Sequence, residues 1–137
     1  MSILAITGAT GFVGSAVLDE ALAQGHTVRA LARREQAARA GVEWVRGDLN
    51  DMGALAALIN GSDAVVHVAG LTNTPDPREF EAANVTGTAN VLAAMSAAGV
   101  RRLVFVSSLS ARMPELSAYG ASKARAETLV EASGLDW

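Results

Sequence analysis

The chain contains one tyrosine and one lysine, and they stand four residues apart in Tyr119-Gly120-Ala121-Ser122-Lys123. On a helix, residues i and i+4 share a face, so the phenol and the ammonium would point the same way. A free phenol has a pKa of about 10, and a nearby cation favours the phenolate. A tyrosine in that setting can give or take a proton at a substrate oxygen. The same five residues also fit an ordinary amphipathic helix, so the pair needs support from elsewhere in the chain.

That support comes from the amino terminus. Ser2-Ile3-Leu4-Ala5-Ile6-Thr7 is a short apolar run, Gly8-Ala9-Thr10-Gly11-Phe12-Val13-Gly14 follows at once, and an amphipathic helix pattern runs from Phe12 to Ala23. Strand, glycine turn and helix in that order form the setting of a dinucleotide fingerprint. Gly8 would turn the chain off the strand, Gly11 would let the backbone approach a pyrophosphate, and Gly14 would let helix and strand pack closely. The helix N-terminus would offer unpaired N–H groups and partial positive charge to the phosphates. A glycine-rich turn without a ligand is the plainer alternative.

The next strand is predicted at Thr27–Leu31. An NAD-selective site places an acid near the end of this strand, on the ribose hydroxyls. Here the chain reads Ala32-Arg33-Arg34. A guanidinium can hold a 2′-phosphate through a forked, charged hydrogen bond. Arg33 and Arg34 therefore favour NADP(H), with NAD(H) still allowed; they could instead only cap an exposed turn.

These residues must be positioned by the elements around them. Apolar runs predict strands at Glu43–Arg46, Ala64–Val68 and Leu103–Ser107. Helical patterns cover Asp51–Ile59, Arg78–Ala98 and Ser117–Ala132, and Gly25, Gly41, Gly61 and Gly99 fall where helices stop or turns form. Alternating strands and helices predict a parallel sheet covered on both faces, and continuous apolar strands suit burial. Thr72–Pro77 is a polar loop that could line a site.

Composition narrows the function classes. The 137 residues make one domain's worth of chain, half of it apolar. A net charge of −3 without a basic run argues against a nucleic-acid partner. With no cysteine and two separated histidines, no metal site is expected. No segment reaches the ~20 apolar residues of a membrane span, and no signal-peptide pattern precedes the first strand. A cytoplasmic location is the expectation.

The ordered set of motifs resembles the short-chain dehydrogenase/reductase superfamily, in its extended, epimerase/dehydratase branch. Thr7 to Gly14 is similar to that branch's cofactor signature. Gly47-Asp48-Leu49-Asn50-Asp51 resembles its element after the third strand, which implies that Asp48 meets the adenine amino group and Leu49 packs near the base. His67-Val68-Ala69-Gly70 resembles the end of the fourth strand, where Val68, Ala69 and Gly70 would pass close to the cofactor; His67 reads as a packed strand residue. Asn84-Val85-Thr86-Gly87-Thr88-Ala89-Asn90 resembles a helix in which the asparagine organises the site. Val106-Ser107-Ser108-Leu109-Ser110 resembles the serine segment, with Ser108 favoured as the partner of the substrate oxygen and Ser107 as the alternate.

The resemblance implies a Rossmann-like, doubly wound parallel sheet, here ending after about five strands, with the substrate-binding part lying beyond residue 137. It implies hydride transfer to or from a carbonyl or alcohol, with Tyr119 as acid/base. Ser108 would stabilise the oxygen, and Lys123 would assist the tyrosine and bind the nicotinamide ribose. Reductase, epimerase and dehydratase outcomes all fit. The alternative is an NADP(H)-binding sensor or scaffold without catalysis. Members of the family often dimerise through helices corresponding to Arg78–Ala98 and Ser117–Ala132, so a homodimer is a further expectation. The fifth strand is expected to carry an open apolar edge.

Overall fold

The structure is a computed structural model and describes all 137 residues. Five parallel strands form one sheet: β1 (Ile3–Thr7), β2 (Thr27–Ala32), β3 (Val42–Arg46), β4 (Ala64–His67) and β5 (Arg102–Phe105), in spatial order β3-β2-β1-β4-β5. Helices α1 (Phe12–Ala23) and α2 (Met52–Ile59) connect the first strands. A third helical stretch runs as α3 (Pro77–Phe80), a π-helical turn (Glu81–Thr86) and α4 (Gly87–Ala98). After β5, two short 3₁₀ turns lead into α5 (Ala118–Glu131).

The alternation of side chains along β1 divides the core. Ile6 faces α1 and packs with Leu18, Ala21, Val28 and Ala30. Ala5 faces the other side, where Leu55, Leu58 and Ile59 of α2, Val91 and Met95 of α4 and Val130 of α5 close over Val65 and Leu103. Helices therefore lie on both faces, as expected for a doubly wound sheet. The α1 face is covered by one helix only. Val104, on that face of β5, is 53% exposed as a result.

Three features differ from the sequence reading. The predicted helix Arg78–Ala98 begins at Pro77 and widens into a π turn, a local expansion that hydrophobic periodicity does not reveal. Strand β5 stops at Phe105 rather than Ser107, so the serines lie on the turn beyond it. The edge of β5 is not fully open: Leu103 N donates to Asp136 O and Asp136 N to Arg101 O, each at 2.9 Å, so the chain near Asp136 pairs in parallel beside β5.

Order in the sheet reverses at β1, whose neighbours are β2 on one side and β4 on the other. Ligands of open α/β sheets bind at such a switch point, beyond the carboxyl ends of the strands. The turn leaving β1 is tight. Gly8 has φ +73°, and a side chain on Gly14 would stand 1.8 Å from Gly8 O. Gly14→Ala should therefore force loop and helix apart and cost roughly 3 kcal/mol in urea unfolding. A variant as stable as the parent would show that the turn gives way easily.

Candidate cofactor and active site

A cleft of about 960 Å³ opens at the switch point. Its floor is the glycine turn. No side chain caps α1 at Gly11, so the first-turn N–H groups remain available to an anion. Gly8 lies against the backbone of Ala69, where a methyl group would come within 2.6 Å of Ala69 N. Gly70 lies against Asn84 Oδ1, 2.9 Å from where its own side chain would begin. The cleft is thus lined by backbone that side chains cannot screen, and this suits a pyrophosphate and ribose laid along it.

The structure brings most of the expected residues to this cleft. Gly8, Thr10, Gly11, Phe12, Val13, Gly14, Arg33, Asp48, Leu49, Val68, Ala69, Gly70, Tyr119 and Lys123 all line it. Arg34 is exposed but does not line it, and its carbonyl accepts from Gln36 Nε2. Ser107 lines it and Ser108 does not; the Ser108 hydroxyl instead accepts from Ser110 N at 3.1 Å and caps the first 3₁₀ turn. Asp48 is exposed, with one carboxylate oxygen accepting from Asn50 N. Leu49 packs over Gly87, and its carbonyl accepts from Asn90 Nδ2 at 2.8 Å. That contact explains the mid-helix glycine.

A buried chain of polar groups runs behind the cleft. Thr7 Oγ1, at the end of β1, accepts from Val68 N and Ala69 N, both at 3.1 Å, and lies 2.6 Å from His67 Nδ1. The other ring nitrogen of His67, Nε2, lies 3.0 Å from Thr88 Oγ1, which donates to Asn84 O at 2.7 Å. Asn84 then uses its whole amide. Oδ1 accepts from Leu71 N at 2.7 Å, and Nδ2 donates to Leu71 O and to Ser122 Oγ at 2.9 and 3.0 Å. Ser122 Oγ closes the chain by donating to Tyr119 O at 2.7 Å.

These partners assign the histidine tautomer. Thr88 spends its one proton on Asn84 O, so it accepts from Nε2–H. Thr7 uses both lone pairs on backbone amides, so it donates to an unprotonated Nδ1. His67 is therefore neutral. Its burial, and then the nearby Lys123 charge, lower its pKa to about 3. Thr7, Thr88 and Ser122 are site-forming residues that the sequence reading did not single out. A threonine in a strand and small hydroxyls in helices carry no signal of their own until packing brings them together.

Lys123 is 4% exposed. Its ammonium donates to Val106 O at 3.0 Å and stands 4.6 Å over the Phe105 ring. Burial lowers its pKa, and Glu127, one turn along α5, opposes that shift. Tyr119 is half-buried, with its ring 5.8 Å from that of Phe80. Ser117 caps α5 by accepting from Gly120 N at 2.9 Å, so the helix presents Tyr119 and Lys123 to the cleft from its first two turns.

A family model described as NAD(P)H-binding matches residues 8–137. The chain belongs to the extended short-chain dehydrogenase/reductase family. Ceramide reductase of Caulobacter vibrioides is 39% identical over 135 residues, covering 96% of this chain and 42% of that protein. Cinnamoyl-CoA reductase 1 of Petunia hybrida is 37% identical over 120 residues, covering 80% and 36%. Among solved structures, a superfamily protein of Agrobacterium tumefaciens with bound NAD superposes with TM-score 0.82 at 36% identity, over 93% of this chain and 44% of that one. The Bordetella bronchiseptica enzyme WbmH in complex with NAD+ superposes with TM-score 0.87 at 27% identity, over 99% and 54%. This family member thus spans about half the length of its relatives, or less. Its fold is Rossmann-like, and it is an NAD(P)H-binding domain. No helix is long and apolar enough to cross a membrane.

The neutral His67 makes stability depend on pH in a defined direction. Unfolded, the imidazole takes up a proton near 6.5; folded, it does so only near 3. Between those values the unfolded state binds more protons, so stability falls as pH falls, by about 2 kcal/mol from pH 7 to pH 5. His67→Gln, less stable at pH 7, should lack that part of the pH dependence in urea unfolding. An identical loss in both proteins would mean that His67 titrates normally.

Proposed function

We propose that this chain forms the cofactor-binding and proton-transfer part of an NADP(H)-dependent oxidoreductase or isomerase acting on a carbonyl or alcohol. The observation that carries this reading is Lys123. It is the one lysine of the chain, and burying an ammonium is costly unless the fold uses it. It sits in the cleft four residues from the one tyrosine.

The residues fit a nicotinamide dinucleotide. The glycine turn and the open end of α1 would hold the pyrophosphate, and Asp48 and Leu49 would meet the adenine. Arg33, exposed in the cleft, would pair with a 2′-phosphate; Arg34 lies outside it. When bound, the nicotinamide supplies or accepts a hydride at the substrate carbon.

The chain's own groups manage the proton. Lys123 has three N–H donors, of which one goes to Val106 O, leaving others for ribose hydroxyls and for stabilising a phenolate. Tyr119 gives its proton to a carbonyl oxygen in reduction and takes the alcohol proton in oxidation. Ser108 lies outside the cleft that this chain forms, but it is the donor to the substrate oxygen in this reading: its hydroxyl accepts from Ser110 N and keeps its own proton, whereas the cleft-lining Ser107 is engaged with Glu127. A part of the protein beyond this chain would complete the substrate site.

Two measurements test the reading. In the full-length protein, Tyr119→Phe should lower kcat by roughly 10²–10⁴-fold with NADPH affinity kept. Retained turnover would remove Tyr119 from the chemistry, and absence of turnover in either protein would favour a cofactor sensor. Arg33→Ala should weaken NADPH binding by about tenfold or more, the worth of a charged hydrogen bond, and leave NADH unchanged. Equal effects on both cofactors would place Arg33 away from the 2′-phosphate.

A further inference from the structure

We propose that Glu127 is a positioning residue for this site: it holds the Ser107 hydroxyl by its proton and supplies the counter-charge of Lys123. The inference rests on the reading of the cleft as an NADP(H) site, and it concerns residues outside the Tyr119–Lys123 pair.

Ser107 Oγ lies 2.6 Å from Glu127 Oε1. A carboxylate only accepts, so Ser107 donates and has only lone pairs left for a partner in the cleft it lines. In that state it can accept from a ligand hydroxyl or amide and cannot donate to a carbonyl. Two adjacent serines thereby gain different roles, with Ser107 an acceptor and Ser108 a donor. The same bond ties α5 to the turn that follows β5.

Glu127 also follows Lys123 by four residues, on the same face of α5. The ammonium is buried against the Phe105 ring and one carbonyl, so its charge needs a counter-ion. The groups facing it are few. His67 on β4 is neutral, and its protonation is disfavoured by Lys123. Asn84 on the π turn is an uncharged amide. Tyr119 lies one turn before it and Glu127 one turn after. Two other acids stand on elements packed against α5: Glu79 of α3 lines the cleft and accepts from Thr74 Oγ1, and Glu81 of the π turn pairs with Arg125. Glu127 is the acid that works against the effect of burial on the lysine. Glu127 should therefore set the alkaline limit of cofactor binding, without touching the cofactor.

The chain has a single lysine, so ¹³C labelling of lysine side chains yields one Cε resonance whose titration reads Lys123 alone. Glu127→Gln keeps the size and a hydrogen-bond acceptor for Ser107 while removing the charge. The lysine midpoint should move to lower pH in this variant, and the upper pH limit of NADPH binding should move with it. Glu131→Gln, an exposed change on the same helix, should move neither. An unchanged midpoint in folded Glu127→Gln, or an equal shift in Glu131→Gln, would overturn the proposal. Should Glu127→Gln fail to fold, the unaltered chain decides: the Glu127 carboxyl carbon should show an inflection where Lys123 loses its proton, and its absence would be equally contrary. If NADPH fails to bind the unaltered chain, the oxidoreductase reading falls, while the lysine titration still judges Glu127.

Discussion

One hydroxyl at the end of β1 holds the switch point together. β1 and β4 deliver their carboxyl ends side by side, and the chain leaving β4 must pass close to the glycine turn leaving β1. Ala69 N would be left without a partner there, at a cost of about 1–3 kcal/mol for a buried group. Thr7 Oγ1 accepts from it, and shares the Val68 N–H with the Thr7 carbonyl. In doing so it directs its own proton to His67 Nδ1; from the other end the Asn84 carbonyl fixes the Thr88 proton, and the Leu71 backbone orients the Asn84 amide that reaches Ser122. The cofactor loop and the helix bearing Tyr119 are joined by that chain. It leaves no buried side-chain nitrogen or oxygen without a partner. A polar network of this kind rigidifies a site when complete and destabilises it when broken.

The electrostatics follow from the same arrangement. A neutral imidazole behind the cleft leaves Lys123 as the buried cation, and Glu127, one turn along α5, opposes the effect of burial on its pKa. On the other side, an uncapped helix end and backbone exposed by glycines face the cleft. Positive potential is thus concentrated where phosphates and a developing oxyanion would lie, in a chain whose net charge is −3. The global charge is negative, while the local charge in the cleft suits a small anion.

Much of this was legible in the residues, and the limits were physical. α1 occupies Phe12–Ala23, as the amphipathic pattern predicts, because the glycine turn and Gly25 bracket it sharply. The parallel sheet follows from apolar runs separated by helices. The π turn at Glu81–Thr86 could not be read, because its residues suit an α-helix equally well; it is known only from the backbone and from the contacts Asn84 makes. The serine assignment shows another limit. Neighbouring Ser107 and Ser108 look alike in sequence, and what divides them is Glu127, twenty residues on, within a run that reads as an ordinary charged helix face. Arg33 and Arg34 divide in the same way, because a turn after β2 turns one into the cleft and leaves the other outside it. Chemistry set by spacing within one element was visible. Chemistry set by meeting across elements was not.

The central claim is that the switch-point cleft of this chain binds a nicotinamide dinucleotide through the glycine turn and the end of α1. A calorimetric titration of the 137-residue chain with NADPH tests it most directly. The account predicts one saturable site per chain, with affinity that weakens as salt screens the phosphate contacts. A folded chain that takes up neither NADPH nor NADH would contradict it.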